Sequence, residues 1–96
     1  MSSNTQKTVK EANMPESMQQ DAINIASQAI QKYKNEKETA DYIKKEFDEK
    51  HDQNWRCIVI YGQHCRSFKS YVTQKPKFWI HLYLDRIAVL LYKLDS

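Results

Sequence analysis

The chain has 96 residues, 41% of them hydrophobic and 28% charged, with a formal net charge of +3. That length holds one domain with one modest core, and so mild a positive charge does not by itself argue for nucleic acid. No apolar run approaches the roughly 18 residues a membrane-spanning helix needs. The polar start, MSSNTQKTVKE, lacks the apolar core of an export signal, so the two cysteines are expected to be reduced thiols in the cytosol.

Residues 1–7 are polar and expected to be disordered, ahead of a single domain at 8–96. Residues 8–12 have the composition of a short strand. Pro15 suits the first turn of a helix, where a missing N–H costs nothing. From there Met18, Ala22, Ile25, Ala26, Ala29, Ile30 and Tyr33 recur at helical spacing and form one apolar face, which ends at Lys34 and Asn35. Asn35 is placed to cap a second helix, with Glu38 three residues on as its reciprocal partner. Ala40, Ile43 and Phe47 form the apolar stripe of that helix. Lys44, Lys45, Glu46, Asp48, Glu49 and Lys50 form its solvated face. The polar stretch from His51 to Asn54 closes the helical half.

The remainder reads as strand. Four segments, 55–61, 68–74, 78–84 and 87–93, are rich in β-branched and aromatic residues. They are separated by the loop 61–67 with the chain's single glycine, by Lys75-Pro76-Lys77, and by Asp85-Arg86. The last two strands are apolar on both faces, as strands covered on both sides are. A helix pair covers one face of a small sheet, and a second copy of the chain is the simplest cover for the other. The fold class expected is therefore α+β, assembled as a homodimer. The segment FKSYVTQ at 68–74 raises the question of what its edges pair with, since an unpaired edge is a liability unless a partner uses it.

Candidate chemistry is sparse. His51, His64, His81, Cys57 and Cys65 show no zinc-ligand spacing. Cys57 reads as a small core residue and Cys65, beside Arg66, as a loop thiol. Ser67 and Ser70 lie in no nucleophile elbow, and one glycine builds no phosphate-cradling loop. No cofactor, metal or catalytic residue is expected. Lys69, Lys75, Lys77, Arg56 and Arg66 sit among Tyr61, Phe68, Tyr71, Phe78 and Trp79, and such basic–aromatic strands can stack single strands. The aromatics are spaced as core and interface residues, so a nucleic-acid module stands only as a third reading. Strand addition, in which an extended peptide joins a free sheet edge, remains.

The segments MPESMQQDAINIASQAIQKY, EKETADYIKKEFDEKHDQNWRCIV, SYVT and LYLDRIAVLLYK closely resemble the eight-kilodalton light chain of cytoplasmic dynein, over nearly the whole chain from Val9 to Lys93. The resemblance implies two helices on a sheet and a homodimer in which one strand, here 68–74, crosses to the partner's sheet. It implies a non-catalytic hub that takes short linear peptides by strand addition, two per dimer, and contributes to motor assembly and microtubule-based transport. The implied groove residues are Phe68, Lys69, Ser70, Tyr71, Val72, Thr73 and Gln74 on the strand, with Glu36, Lys37, Tyr83 and Ala88 beside it. For Tyr83 and Ala88, plain packing is the competing reading. Arg56, Phe68 and Tyr71 fall at the implied dimer interface. The implied partners are the dynein intermediate chain and other proteins with Thr-Gln-Thr-like motifs, with microtubules reached only through the motor, no nucleic acid and no membrane. The implied location is the cytoplasm and cytoskeleton.

Four positions depart from the family pattern. The loop at 60–67 is longer than the family's, so only Arg66 is a candidate for the arginine that lines the groove there. Lys69 replaces a glycine beside the bound peptide, which predicts a shifted motif preference toward acidic flanks. Arg56 replaces an interface histidine whose protonation loosens the dimer; arginine stays charged throughout the physiological range, so that switch is expected to be absent. Leu94 replaces a phosphorylated serine. These departures keep open a second reading, a divergent paralogue with altered or lost peptide binding that serves an axonemal motor or another structure.

Overall fold

The computed structural model describes residues 7–62 and 78–93. The expected strand at 68–74, together with Cys65, Arg66 and Leu94, lies outside the described residues. Six elements are described: β1 (Lys7–Asn13), α1 (Glu16–Lys32), α2 (Glu36–Lys50), β2 (Trp55–Tyr61), β3 (Phe78–Leu84) and β4 (Ile87–Lys93). The class is α+β, an N-terminal strand and two helices followed by antiparallel strands in one sheet.

Local chemistry fixes the helix boundaries. Pro15 sits at the N-cap of α1, one position ahead of the first turn, and its carbonyl accepts the Gln19 N–H at 3.0 Å. Gln19 Nε2 also donates to Met14 O at 2.8 Å, tying the helix start to the end of β1. Tyr33, expected inside the helix, is instead its extended C-cap, so α1 stops before Lys34. Asn35 caps α2 as expected: its Oδ1 accepts the Glu38 N–H at 2.8 Å, and its Nδ2 donates to Glu38 Oε1 at 2.7 Å.

The sheet order is β1-β3-β4-β2, and every pairing is antiparallel. β3 and β4 form a tight hairpin across Asp85-Arg86, with Leu84 opposite Ile87. Asp85 takes φ +58°, a left-handed value that a short polar side chain tolerates. β1 carries a bulge at Lys10, between the pairs Val9–Leu82 and Glu11–His81.

Both helices lie on one face of the sheet. Ala22, Ile25, Ala26 and Ala29 from α1, with Ile43 and Phe47 from α2, pack against Trp55, Val59, Ile80, Leu82, Leu84, Val89 and Leu91. The apolar positions at helical spacing meet the strand positions at spacing two, which is why one stripe per helix and one face per strand suffice. Trp55 anchors the α2–β2 corner. It is fully buried, its ring meets Phe47 edge-on at 4.8 Å, and its Nε1 donates to His51 O at 3.2 Å. The helices are further joined by His51 Nε2 and Asp21 Oδ2 at 2.8 Å.

Candidate functional site

Among the described residues no helix covers the opposite face of the sheet. Cross-strand register arranges it in three rows. Thr8, Tyr83, Ala88 and Ile60 form the first, Glu11, His81, Leu90 and Ile58 the second, and Asn13, Trp79, Tyr92 and Arg56 the third. Ala88 and Leu90 are buried, packed against Ile58, Ile60 and Tyr83 on the neighbouring strands and against Tyr92 on their own. The result is an apolar patch along β4 and β2 beside His81, polar along β1 and at the Arg56 corner. Sheets that pack face to face present such a surface.

The residues singled out from the sequence divide as follows. Tyr83 and Ala88 stand directly opposite each other in the first row, so the structure brings them together on the helix-free face. Arg56 is exposed on the same face, at the far end of the sheet. Glu36 is the first residue of α2, and its Oε2 accepts the Tyr61 N–H at 2.8 Å, which brings it to the Ile60–Ala88 end of the sheet. Lys37 is solvent-directed, its ammonium 3.5 Å from the Asp41 carboxylate with both side chains largely exposed. Phe68, Lys69, Ser70, Tyr71, Val72, Thr73 and Gln74 lie outside the described residues. Sequence reasoning missed Ile58, Ile60 and Leu90 as members of this face, and missed Asp48 as a partner of β2. The alternation of β2 and β4 carried the first three; nothing local carried the last.

His81 is the titratable group at the centre of the face. Its ring meets Tyr83 edge-on at 5.1 Å, and Glu11 is its cross-strand neighbour. Burial lowers its pKa below the ordinary histidine value, the Glu11 carboxylate opposes that shift, and the Lys10 ammonium adds to it. Lys10 itself lies over the Tyr83 ring, 5.4 Å from its centroid. Cys57 faces the helix side, packed against the main core. Burial, and secondarily the Asp41 carboxylate, push its thiol far above the usual cysteine range. Among the described residues no three His, Cys, Asp or Glu side chains are grouped to hold a metal ion, and no helix is long and apolar enough to cross a membrane.

A strand, two helices and an antiparallel sheet in this arrangement recur in known proteins. The family model described as dynein light chain type 1 matches residues 6–94. The chain belongs to that family. Solved dynein light chain folds superpose on it despite low identity. The dynein light chain-like domain of the Fasciola hepatica calcium binding protein FhCaBP2 has a TM-score of 0.77 at 16% identity, covering 96% of this chain and 94% of that one. The dynein light chain-like domain of CsTAL3 has a TM-score of 0.74 at 17% identity, covering 94% of each chain. At such identities these two establish the dynein light chain fold alone.

Proposed function

We propose that this dynein light chain is a non-catalytic, dimerising adaptor that captures short linear peptides by strand addition. Two copies pack their helix-free sheet faces together, and the segment 68–74 of each lies along the other's β2 edge. A groove beside that segment takes an extended peptide, with Tyr83, Ala88, Glu36 and Lys37 near it. The observation that carries this reading is the sheet face without a described helix, where Ile58, Ile60, Tyr83 and Tyr92 are only half-buried around Ala88 and Leu90, joined to a β2 edge that no described strand occupies. Apolar area left without a helix needs a cover, and a self-complementary patch supplies it through a two-fold. The ligands proposed are the dynein intermediate chain and other proteins with Thr-Gln-Thr-like motifs, in the cytoplasm and on the cytoskeleton, with microtubules reached only through the motor. Two sites per dimer raise apparent affinity for paired ligands.

Sedimentation followed by calorimetric titration with a Thr-Gln-Thr peptide tests the reading. A dimer that binds two peptides per dimer saturably, with amide shifts along 68–74, supports it. A monomer at all accessible concentrations refutes it. A dimer without saturable binding favours the divergent-paralogue reading, for which the exposed Arg56 at one corner of the face and Lys69 in the sequence speak.

A further inference from the structure

β2 turns alternate residues toward and away from β4. Gly62, just past the strand, donates its N–H to Arg86 O at 3.1 Å, so the even-numbered residues Ile60, Ile58 and Arg56 bond inward to β4. Trp55, Cys57, Val59 and Tyr61 therefore aim their N–H and C=O groups outward. Two of these four outward N–H groups already have acceptors, and both acceptors come from α2. Asp48 Oδ1 takes the Trp55 N–H at 3.1 Å, and Glu36 Oε2 takes the Tyr61 N–H at 2.8 Å.

The geometry is a length match. Glu36 is the first residue of α2 and Asp48 lies in its last turn, a helical rise of ~18 Å. Trp55 and Tyr61 are the first and last residues of β2, an extended span of ~20 Å. The helix runs antiparallel to the strand and delivers one carboxylate to each end of its outer edge. Beyond Trp55 the chain leaves the extended path, with Asn54 at φ +80° and Asp52 at φ +75°. Between the two carboxylates the outward groups of Cys57 and Val59 face no described strand.

We propose that Glu36 and Asp48 are register-setting residues for strand addition: by holding the Tyr61 and Trp55 N–H groups they confine an incoming extended segment to the stretch centred on Cys57 and Val59. The inference rests on the reading of the β2 edge as acceptor of a second copy's segment. The Glu36 carboxylate at one end of the lane favours a basic occupant, while the Asp48 charge at the other end is met by Lys44. The segment from Arg66 to Lys77 carries Arg66, Lys69, Lys75 and Lys77 and no acidic residue. Register matters because a slip of one residue moves every side chain of the added strand to the wrong face.

Amide exchange on the full 15N-labelled chain, assembled as judged by mass, tests the inference. In the natural sequence the Cys57 and Val59 amides exchange at least about tenfold more slowly than in the dissociated chain, and β2 gives one set of signals. In Glu36→Ala, and more so in Glu36→Ala with Asp48→Ala, the end amides are released, several registers coexist and the β2 signals split. Glu36→Gln, whose side-chain oxygen still accepts, keeps the single set. A single unchanged set in both alanine variants overturns the register role and leaves strand addition standing. Freely exchanging Cys57 and Val59 amides in the natural chain, or a chain that never assembles, removes strand addition on β2 and this inference with it.

Discussion

Tyr61 ties β2 to both helices, and removing its hydroxyl should expose how the contact is shared. Tyr61 Oη lies 2.9 Å from Thr39 Oγ1, on a residue with no exposed surface, and 3.5 Å from Tyr33 O. Tyr61→Phe leaves the Thr39 hydroxyl buried without that partner. A buried unsatisfied group costs about 1–3 kcal/mol, and the lower end applies because a helical threonine can turn to the carbonyl four residues back. Thr39→Val keeps the shape and leaves Tyr61 Oη only its long contact to Tyr33, at a cost of about 1 kcal/mol. The double variant replaces both polar partners with apolar groups and should cost little more than either single change, giving a coupling of about 1 kcal/mol. Each kcal/mol shifts Tm by about 4–8 °C in a domain of this size. Urea unfolding of the four proteins, at one fixed protomer concentration, measures the cycle. Costs that add to within about 0.3 kcal/mol would refute the claim that the two hydroxyls satisfy each other.

Asn35→Ala should destabilise the protein by about 1 kcal/mol through loss of the α2 cap, with Asn35→Gly costing only a few tenths; thermal melts showing the two alike would contradict this. His81 protonates less readily in the folded chain than in the unfolded one, whose value is about 6.5, so between these values the unfolded state binds more protons and stability rises with pH. This contribution is complete above about pH 6.5 and is lost as pH falls toward the folded value. Urea titrations from pH 8 to 5 should show a shallower acid loss in His81→Phe than in the natural chain, and parallel curves would sink the assignment. Cys57 is half-buried on the helix side and its thiol pKa is raised, so iodoacetamide at pH 8 should modify it far more slowly in the native protein than after denaturant is added. Mass mapping that finds Cys57 alkylated in the native protein within minutes would disprove it.

The elements legible in the sequence are those that local physics controls. Asn35 and Glu38 announce the start of α2, and the stripe Ala22, Ile25, Ala26 and Ala29 announces the buried face of α1, because capping and helical periodicity act within a turn or two. β2, β3 and β4 were equally plain as β-branched and aromatic runs. What the sequence hides is sheet order and register. That Tyr83 faces Ala88 and that Ala88 also faces Ile60 depend on pairings made across tens of residues. Thr39 reads as an ordinary polar helix residue, yet it completes a buried row with Ile43 and Phe47 because Tyr61 supplies a hydroxyl from 22 positions away. Asp48 reads as part of a wet face for the same reason. One of its oxygens does pair with Lys44, while the other turns to the first amide of β2.

The bulge in β1 has a bearing on how large an assembly can become. β1 is the other outermost strand, almost wholly exposed, with Lys7 and Lys10 along it and its ladder broken where Lys10 is squeezed in. Cationic side chains and a kinked backbone discourage a neighbour from zipping on at that border. Of the two borders, the strand addition proposed above is thereby left to the β2 side. Where each copy offers one receptive border, two copies that join through it leave none open and the assembly closes, whereas two receptive borders per copy would propagate into a fibre.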